Sequence, residues 1–199
     1  AMQSVLTVPF AARETRRPFD PRLLPVFGEI PGANESGWDL LLRIARGRFE
    51  SDRALFESVV PDASELLSAF ESSVAPVAEP ETLMHGDLCA ENILVDENGN
   101  VTAVVNWGFL SGHAPHVVEV AIATGILDMY SSRVSEVARQ FSATAVAALG
   151  VDARDLLRSR ALYSFLTATA YSTEGTDGHF AWCAAVLSRE EVCEALVVR

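Results

Sequence analysis

The chain contains no lysine. All 15 basic side chains among its 199 residues are arginines. A reaction step that needs a lysine as phosphate clamp, Schiff-base amine or general base is therefore excluded. The absence of lysine beside abundant arginine, alanine and valine indicates a GC-rich bacterial source.

Long apolar runs and a basic leader are also lacking. No stretch reaches the roughly 18 uninterrupted apolar residues of a membrane-spanning helix, and no basic region followed by an apolar segment opens the chain. The three cysteines are an odd number without metal-type spacing, which favours a reducing compartment over a disulfide framework. We therefore expect a cytoplasmic protein that does not enter a membrane.

Positive charge is scarce. The formal net charge is −12, whereas proteins that bind nucleic acid normally present a basic face. We therefore expect no nucleic-acid partner and a site that accepts a small molecule of polar or cationic character.

The distribution of proline and of apolar residues divides the chain into two parts. Residues 1–34 are predicted to be irregular because five prolines interrupt them. Residues 35–199 are predicted to form one mainly helical domain with a small central β-hairpin. Apolar periodicity predicts the helices: 37–48, 52–59, 62–73, 116–130, 133–149, 154–171 and 177–197. The hairpin pairs residues 92–95 with 101–106 across an Asn98-Gly99 turn.

The most informative motif spans this hairpin. His85-Gly86-Asp87-Leu88 comes first, Asn92 follows five residues after Asp87, and Asn106-Trp107-Gly108 closes the hairpin. This order resembles the aminoglycoside and macrolide phosphotransferase family. The resemblance implies a protein-kinase-like fold, and the succession of helix pair, catalytic loop, hairpin and helical tail is that of the C-terminal lobe.

The resemblance also assigns roles. In phosphoryl transfer the loop aspartate takes or orients the proton of the acceptor hydroxyl, and the asparagine holds Mg²⁺. Those positions are Asp87 and Asn92. A carboxylate in the turn after the hairpin normally bridges metal and phosphates, and Asn106 stands there. His85 is expected to brace the neighbouring backbone.

The chain departs from the family at several points. Mg²⁺ binds through one or two carboxylates together with phosphates, so a neutral Asn106 predicts that no metal is bound and that Asn92 and Asn106 are vestigial magnesium positions. No lysine is present to contact phosphates, and the roughly 84 residues before His85 contain helices, so we expect no N-terminal β-lobe. No cofactor is expected.

Four further residues complete the predicted site. Residues 112–121 resemble the family's Gly-Asp-Pro…Asp-Leu-Ala run, with the first acid missing and the second replaced by Glu119. His113 and His116 flank a proline; without a third ligand at motif spacing they are expected to line the cleft rather than hold a metal. Trp107 is expected to be a packing residue that supports the site.

Three functions are compatible with these residues. The leading hypothesis is an ATP-independent enzyme of small-molecule biosynthesis. Asp87 is its general base for an intramolecular substitution, elimination or group transfer, while Asn92 and Asn106 donate hydrogen bonds to the leaving group.

The second hypothesis is a non-catalytic, pseudokinase-like partner protein. Its apolar face above the hairpin would be covered by a homodimer or a heteromeric partner. The third is an antibiotic phosphotransferase that uses Mg²⁺ and ATP, with its N-terminal lobe missing or supplied by another chain. We expect an enzyme, but not a self-contained ATP-dependent kinase.

Overall fold

The computed structural model describes residues 26–72, 81–127 and 129–196. Most of the irregular segment predicted at 1–34 lies outside these residues. Its described part, 26–34, contains turns and one isolated bridge between Val26 and Glu29, with no helix.

The described chain is mostly helical, as predicted. Its helices are α1 (Gly37–Val59), α2 (Ala63–Ser72), α3 (His116–Ile126), α4 (Val134–Leu149), α5 (Ala153–Thr167), α6 (Gly178–Leu187) and α7 (Glu190–Leu196). Its strands are β1 (Glu81–Met84), β2 (Ile93–Val95), β3 (Val101–Val104) and β4 (Gly112–Pro115). Within these described parts no helix combines the length and the apolar character needed to cross a bilayer.

The hairpin predicted from Asn98-Gly99 is present. Strands β2 and β3 pair antiparallel, with Ile93 opposite Val104. Asp96 closes the connecting loop, because its Oδ1 accepts the backbone N–H groups of Asn98 and Asn100 at 2.9 and 2.8 Å. The predicted mainly helical fold around a small antiparallel hairpin is thus confirmed.

A second antiparallel pair joins β1 to β4, which the sequence did not predict. Leu83 lies opposite His113 in this pair. The catalytic loop (residues 85–92) and the hairpin separate the two strands in sequence, so no local turn signals their pairing. The β4 sequence Gly-His-Ala-Pro also has little β propensity. The pair lies against the start of α1, where Glu81 Oε1 accepts the N–H of Gly37 at 2.6 Å.

Helix boundaries also differ from the predicted ones. The helices predicted at 37–48 and 52–59 run together as α1, with non-helical backbone at Asp52 (φ −117°, ψ 18°) marking the kink between them. The single helix predicted at 177–197 is divided: α6 ends at Leu187, its C-cap Ser188 donates its N–H to the Ala184 carbonyl, and α7 begins at Glu190.

Helix α5 is the centre of the core. It is buried along almost its whole length and packs against α1, α3, α6 and α7. Phenylalanines from three helices meet there: Phe49 and Phe56 of α1 lie 5.9 and 5.8 Å from Phe165 of α5, and Phe180 of α6 lies 6.1 Å from Phe56. Such aromatic contacts add to the hydrophobic burial that holds the helices together, and this core supports the loop between β1 and β2.

Candidate functional site

The loop between β1 and β2 depends on Gly86. Its φ is +80°, in the left-handed region that L side chains rarely adopt, and a Cβ there would lie 2.4 Å from the Leu110 side chain. The loop therefore passes directly over Leu110, at a distance that only glycine permits.

Glu119 anchors the same loop through its side-chain carboxyl group. Its Oε2 accepts the backbone N–H of His85 and, at 3.1 Å, that of Gly86. The carboxyl group is buried, and among the described residues its Oε1 has no hydrogen-bond partner. Burial raises the pKa of Glu119 from 4.5 to about 7, although the two backbone hydrogen bonds act in the opposite direction.

His85 ties the loop to the end of β3. Its Nδ1 accepts the backbone N–H of Asp87 at 3.1 Å, and its Nε2 lies 2.8 Å from the carbonyl oxygen of Val105. A backbone N–H can only donate and a carbonyl can only accept, so Nε2 carries the proton of a neutral ring. The Trp107 ring packs against the imidazole, with 4.6 Å between centroids. Both ring nitrogens are thus used in positioning Asp87.

Three side chains form a hydrogen-bonded chain across the site. Asn106 Nδ2 donates to Asn92 Oδ1 at 2.8 Å. Asn92 Nδ2 donates in turn to the Asp87 carboxylate Oδ2 at 3.0 Å and to the Asp87 carbonyl oxygen at 2.8 Å. Partial burial raises the pKa of Asp87, and the hydrogen bond from Asn92 partly opposes this shift.

These hydrogen bonds correct the predicted role of Asn92 as a donor to the leaving group. Both amide hydrogens of Asn92 are given to Asp87, so Asn92 has none to offer to a leaving group. Asn106 has two amide hydrogens and uses one of them on Asn92. Of the two predicted donors, Asn106 alone retains that capacity.

The turn at Asn106 is anchored by a residue that the sequence reasoning missed. Asn106 has a φ of +60°, a conformation that asparagine tolerates better than most residues. Two residues later, Gly108 N–H donates to Ser111 Oγ at 2.8 Å, and Ser111 Oγ donates to the His85 carbonyl at 3.0 Å. Ser111 is buried and joins the turn to the catalytic loop, but an isolated serine carries no sequence signal for that role.

The donor set suits Mg²⁺ poorly. The side-chain Oδ1 of Asn92, which the resemblance assigns to the metal, already accepts a hydrogen bond from Asn106 Nδ2. At the other expected position, Asn106 stands in place of the carboxylate through which Mg²⁺ is normally bound. Across the described ranges, no three His, Cys, Asp or Glu side chains are grouped so that they could hold a metal ion.

A cavity of about 440 Å³ opens beside Asp87. Its wall combines carboxylates with aromatic rings, and the members that matter for chemistry are Asp87, Glu91, Tyr130, Tyr163, Tyr171 and His179. Burial raises the pKa of each of the three tyrosines, and the negative charge of Asp87 adds to the shift.

The aromatic part of the cavity wall was not predicted from the sequence. Tyr163 lies in α5 and His179 in α6, while Tyr130 and Tyr171 lie in the segments that follow α3 and α5. The four residues are distant in sequence from one another and from Asp87. Only the packing of the helices brings them together, so no motif spacing could have identified them.

The two predicted histidines lie elsewhere. His113 is on β4, with its Nδ1 3.9 Å from Glu81 Oε2, and His116 is the first residue of α3. Neither is among the described residues that line the Asp87 cavity. Cys89 does line it, but burial and the nearby Asp87 raise the pKa of its thiol, which disfavours a thiolate nucleophile.

Comparison with known proteins adds a family to this geometry. A model described as the phosphotransferase enzyme family matches residues 18–163. The matched region contains the catalytic loop, the hairpin, the turn at Asn106 and Glu119. No curated protein and no solved structure matches the chain.

Proposed function

The chain belongs to the phosphotransferase enzyme family, and we propose that it is a small-molecule biosynthetic enzyme that uses this family's acceptor side without ATP. Asp87 is its general base. The observation that carries the proposal is the hydrogen-bonded chain from Asn106 through Asn92 to Asp87.

The hydrogen bonds from Asn106 to Asn92 and on to Asp87 support the proposal because of the side chain at position 106. An aspartate there would face the oxygen of Asn92 with acceptors only, and a cation would be needed between them. Asn106 presents an N–H group instead and satisfies the Asn92 oxygen directly. The amide thus replaces the cation and keeps Asn92 turned toward Asp87.

Asp87 has the environment of a base. Its Oδ2 is held by Asn92, and its Oδ1 accepts no hydrogen bond from the described residues. Partial burial raises the pKa of the carboxyl toward the range in which proton transfer is efficient. A positioned base contributes typically ~10²–10⁴-fold to a rate without any metal.

The reaction that we propose follows from that base. A hydroxyl or amine of the substrate gives its proton to Asp87 as its oxygen or nitrogen forms a new bond. The leaving group departs with its bonding electron pair, and the free N–H of Asn106 donates to it. An intramolecular substitution and a transfer to a second substrate both follow this course. In an elimination, Asp87 instead takes a proton from carbon, and the electron pair of that C–H bond forms the double bond as the leaving group departs.

The cavity favours a cationic substrate. Tyrosine rings attract cations to their faces, and the cavity combines three tyrosines with the carboxylates of Asp87 and Glu91. Its volume of about 440 Å³ lies within the usual range for small-molecule sites. We therefore propose an amine as the substrate class.

The proposal is tested first by binding. The protein is screened by thermal shift against small primary, secondary and quaternary amines, each beside the neutral alcohol of the same skeleton. Amines should stabilise the protein, the matched alcohols should not, and Asp87→Asn should weaken the effect.

Turnover of a bound amine is then followed by mass spectrometry without nucleotide. Asp87→Ala should slow product formation by ~10²–10⁴-fold. Turnover that persists in Asp87→Ala, or that requires ATP, would reject the proposal.

Membership of the family favours one alternative, Mg²⁺- and ATP-dependent phosphotransfer with an N-terminal lobe supplied by another chain. Saturable binding of ATP that depends on Mg²⁺ would support it. The neutral side chain of Asn106, at the position where a metal-bridging carboxylate is expected, opposes it.

A partner-binding role is favoured by a separate observation. Leu94 and Val95 of β2 are 47% and 55% exposed, and Trp107 in the turn after β3 is 40% exposed. Exposed apolar side chains on one short element indicate an interaction site. We propose that this hairpin is covered in a homodimer or a heteromeric complex, which is compatible with catalysis at Asp87.

A further inference from the structure

A second cavity lies between α4, α5 and α7. It has a volume of about 910 Å³ and shares no lining residue with the Asp87 cavity. Helix α4 buries only Ala138 and Ala145 completely. These side chains are too small to fill the space between α4 and α5, and a groove remains there.

Arg160 lies at the base of this groove. Its side chain is 3% exposed. Its guanidinium donates to Thr124 Oγ1 at 2.8 Å and to Ser142 Oγ at 3.0 Å, but it forms no ion pair with any carboxylate of the described residues. A buried charge without a counter-charge is costly. Burial, together with the nearby positive charge of Arg189, lowers the pKa of Arg160 to about 10.

Helix α3 has a glycine where it contacts the Arg160 side chain. Gly125 lies within α3, and a Cβ there would be 2.9 Å from Arg160 Nε. Glycine in a helix interior destabilises it relative to alanine by roughly 0.5–1 kcal/mol. The chain thus keeps both an unfavourable glycine and an unpaired buried charge at the same place.

Arg189 supplies a second positive group. It is partly exposed, lines the groove, and forms no ion pair within the described parts of the chain. Arg160 and Arg189 line the same groove, and two guanidinium groups that face one cavity can bind the oxygens of a carboxylate or phosphate.

The rim of the groove has the opposite charge. Glu190, Glu191 and Glu194 of α7 also line it. These carboxylates repel a simple anion but attract a cationic group attached to it. We propose that this groove is a second binding site, for a small zwitterion whose carboxylate or phosphate contacts Arg160 and Arg189 while its amine faces the glutamates.

The probes that test this proposal are β-alanine and phosphoethanolamine, which join an amine to a carboxylate and to a phosphate. Acetate and inorganic phosphate are the matched controls, because they carry the anionic group but no amine. Binding is measured by titration calorimetry at low ionic strength. At least one zwitterion should bind saturably, and more tightly than its matched anion; which of the two does so identifies the anionic group.

Arg189→Gln should weaken that binding about tenfold or more, as expected for loss of a charge-assisted hydrogen bond. Arg139→Gln is the matched control. Arg139 lines the same groove but is paired with Glu136 at 2.6 Å, so its loss should change the dissociation constant by less than about twofold.

Arg160→Met separates a binding role from a structural one. Thr124 and Ser142 also donate to the carbonyls of Val120 and Ala138, so both hydroxyls keep a partner in this variant. Its unliganded form should be at least as stable as the native protein, and it should not bind the probe.

Three results would overturn the proposal. The first is absence of saturable zwitterion binding to the native protein, and the second is equal binding by Arg189→Gln. The third is an equal loss in Arg139→Gln, which would show a general charge effect. If Arg160→Met fails to fold, the comparison of Arg189→Gln with Arg139→Gln decides the question.

Discussion

At position 106 asparagine has an NH₂ group where aspartate has a negatively charged oxygen. One N–H of that group donates to the side-chain Oδ1 of Asn92, and Asn92 in turn donates to Asp87. Asn106→Asp removes the donor and restores a carboxylate beside the Asn92 oxygen. We expect the variant to gain a divalent-cation site with a millimolar dissociation constant, measured by Mn²⁺ titration in electron paramagnetic resonance.

Asn34→Asp is the control for that change, because Asn34 is exposed and lies outside the site. It adds the same charge and should bind no additional Mn²⁺. Equal Mn²⁺ binding by the native protein and Asn106→Asp would show that the amide does not replace a cation.

Glu119 should make stability depend on pH. Between 4.5 and about 7 the folded chain holds a proton that the unfolded chain has already released, because the pKa of Glu119 is raised by burial. Its contribution to stability is therefore complete below pH 4.5 and declines as pH rises, by about 3 kcal/mol in all. Urea unfolding at pH 5 and pH 8 measures the decline.

Glu119→Gln should remove most of this difference, because an amide oxygen can accept the N–H groups of His85 and Gly86 without carrying charge. Glu65→Gln, an exposed residue of α2, should leave it unchanged. An undiminished difference in Glu119→Gln would assign the pH dependence to other groups.

At the scale of single residues, sequence identified the side chains joined in the central network. Asp87, Asn92, Asn106, His85 and Glu119 are all brought together, because motif spacing encodes their positions on one loop and its supports. Ser111 and the tyrosines of the cavity were not identified. Their roles arise from the contacts of separate elements, and such contacts leave no local pattern.

Among the elements, the catalytic loop has the strictest local requirement. Gly86→Ala combines a left-handed φ with a Cβ placed 2.4 Å from the Leu110 side chain. We expect a loss of unfolding free energy on the order of 3 kcal/mol, measured by urea denaturation.

Gly99→Ala is a matched control for this substitution. Gly99 in the hairpin loop has nearly the same φ, +79°, but a Cβ there meets nothing within 4 Å. It should cost only the backbone strain, about 1–2 kcal/mol. Equal losses in the two variants would mean that the close passage over Leu110 contributes nothing.

Elements that depend on local sequence were predictable, and elements that depend on distant pairing were not. The helices follow from apolar periodicity, and the β2–β3 hairpin follows from Asn98-Gly99. The β1–β4 pair joins strands on either side of the entire site, so its partners cannot be recognised from either strand alone.

At the scale of the whole molecule, the exposed hairpin predicts association. Threonine at both Leu94 and Val95 is β-branched and suits a strand, but it reduces the apolar surface of the hairpin. We expect the weight-average mass from light scattering to fall toward that of the monomer. Ile30→Thr, which alters a 68% exposed side chain outside the hairpin, should leave the mass unchanged; an equal response would rule out the hairpin as the specific contact.

For the whole site we propose that the amide of Asn106 takes the place of a metal-bridging carboxylate, so that Asn92 is held toward Asp87 without a cation. Calorimetric titration of the native protein with ATP in excess Mg²⁺ tests this proposal. We expect no saturable heat at millimolar ATP. Saturable binding of one ATP per chain, dependent on Mg²⁺ and abolished by Asn92→Ala, would contradict it.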